Sequence, residues 1–270
     1  MSIKGFFLIL TLIASTLHAE RAILTVDLKE NRNIHIKNFR KCDLIEASGS
    51  SQFSEEGLKY LINELTGRNI VCVDLRQEPH GFKESTPISW QRGSDWVYAG
   101  ALTEQIEQHQ HNRLNEMIKR QKVKLSAKKP AVKTRIKRAL TEQELCKLYN
   151  VNYLRIPVKD HHHPSDLEVN RFVSYVRDLP ENSWVHFHCF AGIGRTSLFL
   201  IMYDAMKNAK IDSLETIVQR QMALGSINLL YQPEDLSTWP KNESERKVFL
   251  YRFYEYCRLN SDNYKTAFSS

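Results

Sequence analysis

The chain has 270 residues, 42% of them hydrophobic, and its formal net charge is +7. This length and composition fit a globular protein that buries one large core, or one core and a small subdomain. The five cysteines are scattered and odd in number, which argues against a disulfide framework and leaves at most one or two bridges.

The N-terminal segment has the pattern of a secretory signal peptide. Lys4 precedes a short apolar run, and Ala19 is a small residue directly before Glu20. The apolar run is too short to cross a bilayer comfortably, and no second run approaches that length. We therefore predict a signal peptide at residues 1–19 and an exported protein without stable membrane insertion. Its destination is the periplasm, the medium or a host cell.

Hydrophobic periodicity and capping residues predict an alternation of strands and helices. In chain order, the predicted elements are a strand at 34–39, a helix at 55–65 capped by Ser54, a strand at 69–75, a helix at 104–119, a helix opened by the capping box at 141–144, a strand at 153–158, a helix at 166–179, a strand at 184–187, and helices near 196–208, 213–223 and 243–259. Residues 79–81 resemble a loop, and residues 84–100 have no clear period. The alternation predicts one α/β domain over residues 20–270, with a central sheet flanked by helices.

Positive charge is concentrated in residues 101–140, which contain eleven Lys or Arg against three Glu. The net charge of this segment is +8, so the remaining residues sum to −1. We predict a small basic insertion within the domain, whose second half forms a hairpin or stays mobile. Clustered cations would attract a polyanionic small molecule, although a solvated surface is the alternative explanation.

A binding module for nucleic acid or anionic membrane, built on the same basic segment, is an alternative of a different class. Lysine and arginine content favours it. The segment offers little aromatic interleaving for base stacking, however. We therefore expect no nucleic-acid partner.

Cys189 and Arg195 flank a glycine-rich loop between a predicted strand and an apolar helix. Such a loop points backbone N–H groups inward, and the start of the helix adds partial positive charge. The same field favours a thiolate, which predicts Cys189 as a nucleophile. Arg195 offers a planar fork of donors for two phosphate oxygens. The pattern therefore predicts a phosphatase loop.

The remaining residues of this loop are assigned supporting roles. Thr196 is expected to hydrogen-bond the sulfur and ease its departure from a phosphorylated intermediate. His188 is expected to order the loop backbone rather than transfer protons. The predicted substrate-binding residues are His188, Phe190, Ala191, Gly192, Ile193, Gly194 and, from another loop, His161.

Asp160 is the candidate general acid, because it follows a predicted strand on a loop of its own, roughly 30 residues before the nucleophile. A simple turn-forming role is the alternative. His161, His162 and His163 come next, but three adjacent side chains cannot all converge on one ion, and no second cluster has ligand spacing. We predict no metal and no cofactor, with His161 contacting a substrate phosphate.

Several segments in matching order resemble the bacterial cysteine phytases, which are protein tyrosine phosphatase-like enzymes acting on myo-inositol hexakisphosphate. The segments are ASGSSQFSEEGL, VDLRQEPHGF, SWQRGSDW, RIPVKDHHHP, WVHFHCFAGIGRTS and VQRQ. The similarity extends from about Asn38 to Tyr264. It implies a protein tyrosine phosphatase-like fold, Cys189 as nucleophile, Arg195 as phosphate ligand, Asp160 as general acid and His161 as substrate contact.

The resemblance also implies a substrate pocket enlarged by an insertion, corresponding to about residues 100–140. Two features depart from the family pattern. Phe190 stands where an acidic residue is frequent, and His162 with His163 replaces a more aromatic pair. The expected reaction is hydrolysis of phosphate monoesters on inositol polyphosphates through a cysteinyl-phosphate intermediate. Phosphotyrosine proteins and phosphoinositide lipids are the alternative substrates.

Overall fold

The structure is a computed structural model that describes residues 23–27, 36–91, 102–123, 132–133 and 135–269. The predicted signal peptide lies outside these residues. Among the helices that are described, none combines the length and apolar character needed to cross a bilayer.

A five-stranded sheet lies at the centre of the described fold. The strand order is β10 (Asn152–Val158), β4 (Asn69–Arg76), β11 (Ser183–Cys189), β3 (Ala47–Ser51) and β2 (Arg40–Cys42). All neighbouring strands are parallel except β2 and β3. Four carboxyl ends therefore meet at one edge of the sheet, which is where open α/β sheets bind their ligands.

Helices cover both faces of this sheet because side chains alternate along each strand. One face packs against α4 (Asp166–Arg177), α5 (Gly194–Asn208) and α7 (Lys241–Leu259), with α6 (Leu214–Ala223) beside α5. The other face packs against α1 (Glu55–Glu64) and α3 (Glu142–Leu148). Every residue of α5 from Arg195 to Ala205 is buried, so this helix is fixed inside the first layer.

A second, antiparallel sheet adjoins the central one. Its order is β1 (Ile23–Val26), β6 (Thr86–Gln91), β5 (His80–Lys83) and β9 (Ala139–Leu140). Helix α2 (Thr103–Arg120) packs on it through Leu114 and Met117, which contact Ile88 and Ile136. A short hairpin of β7 (Lys122–Val123) and β8 (Val132–Lys133) follows α2. The described part of the predicted insertion thus belongs to a small subdomain; the boundaries 101–140 remain a prediction.

The predicted α/β fold with a central sheet flanked by helices is confirmed, and both predicted N-caps are present. The Ser54 side chain accepts a hydrogen bond from Gly57 N, and Thr141 forms a capping box with Glu144. The predicted strand at 34–39 is wrong for residues 36–39, which form a turn before β2. They precede the first residue, Arg40, that pairs with β3.

The prediction of a loop at residues 79–81 is also wrong for residues 80 and 81, because residues 80–83 form a strand. Residues 86–91, in the stretch for which no element was predicted, form its antiparallel partner. Both strands are held by long-range pairing with β1 and β9 and by the packing of α2. These contacts outweigh the loop preference of Pro79 and Gly81.

Candidate active site

Cys189 is the last residue of β11, and α5 begins at Gly194. The Cys189 Sγ accepts hydrogen bonds from the Gly192 backbone N–H and from the Thr196 hydroxyl, both at 3.2 Å. The cysteine is 3% exposed. The sulfur therefore lies at the bottom of the loop, beside the N-terminus of a buried helix that adds partial positive charge.

Three successive loop carbonyls are held by hydrogen bonds from other segments. The pairs are Phe190 O with Gln52 N at 3.1 Å, Ala191 O with Asn38 Nδ2 at 2.8 Å, and Gly192 O with Arg40 Nη1 at 2.8 Å. Because each peptide group is planar, fixing its carbonyl also fixes the direction of the following N–H group. The loop is thus pre-organised to bind an anion.

Gly192 is required by both its backbone conformation and its surroundings. Its φ is +73°, in the left-handed region that favours glycine. A Cβ at this position would lie 2.3 Å from Ser51 N and 2.4 Å from the Ser50 carbonyl carbon. Only glycine lets the loop pack this closely against the end of β3.

Arg195 is 2% exposed and forms a bidentate ion pair with Glu78. Its Nη1 and Nη2 donate to the two Glu78 carboxylate oxygens at 2.8 and 2.9 Å, and Nη1 also donates to the Val158 carbonyl at 3.1 Å. These bonds use both N–H groups of Nη1 and one N–H group of Nη2. The Nε–H group and the second N–H group of Nη2 lie together on another edge of the guanidinium. That edge has the geometry that binds two phosphate oxygens.

Glu78 is a buried anion shared by two arginines. Burial by itself would raise the pKa of its carboxyl, but the Arg195 and Arg76 guanidinium groups hold that pKa well below its usual value. Arg76 Nε lies 2.9 Å from Glu78 Oε1. Glu78 therefore stays ionised and fixes the orientation of Arg195.

Asp160 lies on the loop after β10, at the same edge of the sheet as Cys189. Its Oδ1 is 3.3 Å from Arg195 Nε, and its side chain is 31% exposed. His161 has a φ of +63°, and its backbone N–H donates to Asp160 Oδ1 at 3.1 Å. The His161 carbonyl accepts from Asn242 Nδ2 on α7 at 3.0 Å. The structure thus brings Asp160 and His161 to the edge of the sheet that carries Cys189 and Arg195.

The three consecutive histidines make three different contacts, two of them with Asp160 and one with α7. His161 Nε2 lies 3.5 Å from Asp160 Oδ2. His162 Nδ1 is 2.8 Å from the Asp160 carbonyl, whereas the His163 ring stacks on Phe249 with ring centroids 4.9 Å apart. Their arrangement supports the loop and does not form a common ligand set.

His188 is the predicted site residue that the structure does not bring to the loop. Its side chain is fully buried on the opposite face of the sheet from Cys189, and its Nε2 lies 2.5 Å from Glu142 Oε1. The alternation of side chains along β11 separates these neighbours in sequence. The His188 side chain therefore has no surface with which to contact a substrate.

The remaining residues of the loop between Cys189 and Arg195 lie on its outer side, toward solvent. Ala191 and Ile193 are exposed, Ile193 by 45%, and Phe190 is half-buried with the Arg76 guanidinium 5.1 Å from its ring centroid. Gly194 is also half-buried, and a Cβ there would lie 3.4 Å from Arg246 Nη1 on α7. The loop is thus open on its outer side.

Sequence reasoning missed several residues that hold the site together, namely Asn38, Arg40, Gln52, Arg76, Glu78 and Arg246. Three of the six, Gln52, Arg76 and Glu78, lie at the end of a strand or just beyond it, in segments already noted as polar or as resembling the phytases. Their position at strand ends was the available signal. Their individual roles depend on contacts across the sheet, which no local pattern encodes.

Comparisons with known proteins agree with this arrangement. The profile of the protein tyrosine phosphatase-like phytase family matches residues 73–207, one half of the chain. The description of this family is "Inositol hexakisphosphate". A phytase of this type from Bdellovibrio bacteriovorus is 32% identical, with a TM-score of 0.79 over 92% of this chain and 93% of that one.

Two longer relatives match in part. A phosphatase from Mitsuokella multacida, solved with myo-inositol-(1,3,4,5)-tetrakisphosphate, is 29% identical with a TM-score of 0.82, over 93% of this chain and 47% of that one. The effector protein hopD2 from Pseudomonas syringae pv. tomato is 28% identical over 77% of this chain. The chain spans about half the length of this curated relative, 47%. The family profile and the shared fold lead to one conclusion: the chain belongs to the protein tyrosine phosphatase-like phytase family.

Proposed function

We propose that the protein is a cysteine phosphatase that hydrolyses phosphate monoesters of inositol polyphosphates through a cysteinyl-phosphate intermediate. The observation that carries this proposal is that Cys189 Sγ, the loop peptides held by their carbonyls, the Nε–Nη2 edge of Arg195 and Asp160 lie together at one edge of the sheet. The reaction itself needs a sulfur nucleophile, hydrogen-bond donors and one acid.

In the first step, Cys189 Sγ attacks phosphorus, the S–P bond forms and the P–O bond to the leaving group breaks. Asp160 donates its proton to the departing oxygen, so that an alcohol leaves. Charge on the equatorial phosphate oxygens is stabilised by loop N–H groups and by Arg195. The fixed carbonyls mean that these donors need little reorganisation.

In the second step, water attacks phosphorus while Asp160 accepts a proton from it. The S–P bond breaks, phosphate is released and the thiolate returns. The Gly192 N–H and the Thr196 hydroxyl, each 3.2 Å from the sulfur, stabilise that thiolate. Thr196 thus assists the departure of sulfur.

A polyanionic substrate is supported by cations around the loop. Arg246 is 7% exposed, and its Nε has no hydrogen-bond partner among the described residues. Beside the Asp160 loop is a cavity of about 660 Å³ whose lining includes the cations Lys159 and Arg171 together with the carboxylates of Glu104 and Glu168. The inositol tetrakisphosphate bound by the Mitsuokella multacida relative supports an inositol phosphate in particular.

Export of the protein is part of the same proposal. It rests on the signal-peptide pattern of residues 1–19 and on the similarity to a relative named as an effector protein. Activity in the periplasm, in the medium or inside a host would all agree with this pattern.

The test is phosphate release from inositol hexakisphosphate, a phosphotyrosine peptide and a phosphoinositide in vesicles. We expect the inositol polyphosphate to be hydrolysed with the highest kcat/KM. We also expect Cys189→Ser to abolish turnover of all three while retaining substrate binding. Cys257→Ser, which changes a buried thiol far from the loop, is the control and should remain active. A preference for either alternative substrate would contradict the proposed inositol polyphosphate substrate. Residual turnover by Cys189→Ser would contradict the cysteinyl-phosphate mechanism.

A further inference from the structure

A cluster of buried charged side chains lies on the face of the sheet opposite Cys189. It consists of Asp74 on β4, His80 on β5, Glu142 at the start of α3 and His188 on β11, none of them more than 1% exposed. We call these four residues the rear cluster. Glu142 Oε1 lies 2.5 Å from His188 Nε2, and Asp74 Oδ2 lies 3.2 Å from His80 Nε2. The proposed reaction uses none of these side chains.

Glu142 is ionised although it is fully buried. Burial by itself would raise the pKa of its carboxyl, but the His188 imidazole lowers that pKa to about 2. His80 Nε2 lies beside the second carboxylate oxygen, 3.5 Å from Glu142 Oε2. An ionised carboxylate only accepts hydrogen bonds. Every polar group that contacts Glu142 must therefore act as a donor.

Gln52 connects this carboxylate with the phosphatase loop. It follows the last residue of β3 and is 1% exposed. Its Nε2 donates to Glu142 Oε2 at 2.7 Å, and its Oε1 accepts from Arg76 Nη1 at 2.8 Å. Because a carboxylate only accepts and a guanidinium only donates, the two neighbours fix the orientation of the Gln52 amide. An ionised carboxylate or an apolar side chain at this position could not make both bonds.

Two routes lead from Gln52 to the groups that bind phosphate. The Gln52 backbone N–H donates to the Phe190 carbonyl at 3.1 Å, directly after the nucleophile. On the side-chain route, Arg76 Nε donates to Glu78 Oε1 at 2.9 Å, and Glu78 forms the bidentate pair with Arg195. A displacement of Gln52 would therefore move both the loop peptide and the chain of ion pairs that orients Arg195.

The side-chain route is rigid because every group in it is buried. None of the five side chains from Glu142 through Gln52, Arg76 and Glu78 to Arg195 is more than 4% exposed. Water cannot replace a hydrogen bond that is lost in such a place. Bonds that involve charged groups are also stronger than neutral ones, and neighbouring bonds polarise each other. The position of one end is thus communicated to the other.

We propose that Glu142 is a positioning residue of the phosphatase site and acts through Gln52 from the opposite face of the sheet. This inference rests on the proposed phosphatase function. Glu142 holds the Gln52 amide, which in turn holds the Phe190 peptide and the pair of Arg76 with Glu78. Loss of this link misdirects donors that stabilise the charge developing on the transferring phosphoryl group. The effect therefore falls on kcat more than on KM.

The first test is Gln52→Met, which keeps the length of the side chain but removes both of its hydrogen bonds. We expect kcat with inositol hexakisphosphate to fall at least about tenfold and KM to change by less than about threefold. The free energy of unfolding is measured in urea on the same samples. An unchanged kcat, or a loss that appears only in KM, overturns the proposal.

Gln221→Met on α6 is the matched control. Gln221 is also a fully buried amide that donates to a buried carboxylate, Asp204 Oδ2, at 2.8 Å. Asp204 keeps its bonds from Arg220 in this variant, so α5 stays in place. We expect a comparable loss of stability with kcat within about twofold of the wild type. If kcat falls equally in Gln221→Met and Gln52→Met, loss of stability explains both and the positioning role is overturned.

A second test exchanges the two groups and does not depend on Gln52→Met folding. Gln52→Glu alone sets two carboxylates against each other, and we expect kcat to fall further than in Gln52→Met. In the double variant with Glu142→Gln, an amide again donates to a carboxylate, and that carboxylate again accepts from Arg76. We expect kcat to recover at least about tenfold relative to Gln52→Glu, as coupled residues do in a double-mutant cycle. Recovery requires the link itself, because the anion beside His188 is lost. A double variant with kcat no higher than either Gln52 variant overturns the proposal.

The same assays separate this inference from the function on which it rests. A wild-type protein that releases phosphate from none of the three substrates would refute the phosphatase function and the positioning role together. An active wild type whose turnover is lost in Cys189→Ser, but is unchanged in Gln52→Met, would refute the positioning role alone.

Discussion

At the scale of single residues, hydrogen bonds from other segments fix the direction of the Arg195 side chain and of the loop peptides. Glu78 and a backbone carbonyl occupy three of the N–H donors of Arg195, so only one edge of its guanidinium can meet a substrate. Arg40 acts in the same way on the loop through its hydrogen bond to the Gly192 carbonyl. The geometry of the candidate site therefore depends on residues outside the loop itself.

Gly192→Ala tests the steric requirement of the loop. The left-handed conformation costs a non-glycine residue about 1–2 kcal/mol, and the new Cβ would overlap the backbone at Ser50 and Ser51. We expect the loop to shift and kcat to fall at least about tenfold. The matched control is Gly67→Ala, whose φ is +83° but whose Cβ would meet nothing within 4 Å. Its kcat should be unchanged, and equal losses in the two variants would contradict this explanation.

Asp160→Asn tests the assignment of the general acid. Proton donation in the transition state typically contributes about 10²–10⁴ in rate. We expect a loss of this size with an inositol phosphate, whose leaving alcohol needs a proton, and a much smaller loss with an activated aryl phosphate. Asp178→Asn, at an exposed ion pair with Arg177, should leave both rates unchanged. Equal losses on both substrates would assign Asp160 a different role.

At the scale of elements, the strand β11, its loop and the helix α5 form one continuous unit. The strand carries Cys189 to the edge of the sheet, and the helix directs its positive end at the sulfur. The far end of α5 is tied to α6 through Asp204, which accepts hydrogen bonds from Asn208, Arg220 and Gln221. The orientation of the helix is thus fixed by a polar contact on the side away from the site.

Asp204→Asn is expected to weaken this connection between α5 and α6. Asp204 is fully buried, and loss of its charge removes charge-assisted hydrogen bonds worth about 1.5–3 kcal/mol each before compensation. We expect the free energy of unfolding to fall by about 2–3 kcal/mol in urea titrations. Asp212→Asn affects the same Arg220 at a partly exposed carboxylate and should cost less than about 1 kcal/mol. Equal losses of unfolding free energy in the two variants would show that the buried charge of Asp204 is not the source of the stabilisation.

At the scale of the whole molecule, the central sheet carries polar groups inside its core as well as at its edge. His186 is fully buried, with its two ring nitrogens 2.9 Å from Ser48 Oγ and 3.0 Å from Ser50 Oγ. Burial lowers its pKa to about 3, and the nearby His188 lowers it further than Glu142 raises it. The folded protein therefore holds His186 neutral at pH values where the unfolded chain protonates it.

This difference predicts acid sensitivity of the fold. The folded pKa of His186 lies below the ordinary value of 6.5. The contribution of His186 to stability is therefore complete above pH 6.5 and is lost as the pH falls toward 3. The expected slope from this one group is about 1.4 kcal/mol per pH unit. The free energy of unfolding, measured from pH 7 to 5, should fall less steeply in His186→Gln than in the wild type. Parallel slopes would show that His186 does not titrate on unfolding.

Much of this architecture was predictable because its signals are local. A capping residue followed by an apolar period predicted helices α1 and α3, and both helices begin at the predicted position. The sequence did not predict strands β5 and β6, because their stability comes from pairing with each other and with β1 and β9.

The sequence by itself determined the loop from Cys189 to Arg195 between a strand and a helix, the place of Asp160 on a loop after a strand, and the alternation of strands and helices. These depend on residues within about a dozen positions of one another, where backbone geometry alone relates side chains. Only the tertiary structure decided that Glu78 orients Arg195, that Arg40 holds the loop from 152 residues away, and that Gln52 meets Glu142. Such contacts depend on the order and register of strands, since a shift of one residue would turn each side chain to the opposite face.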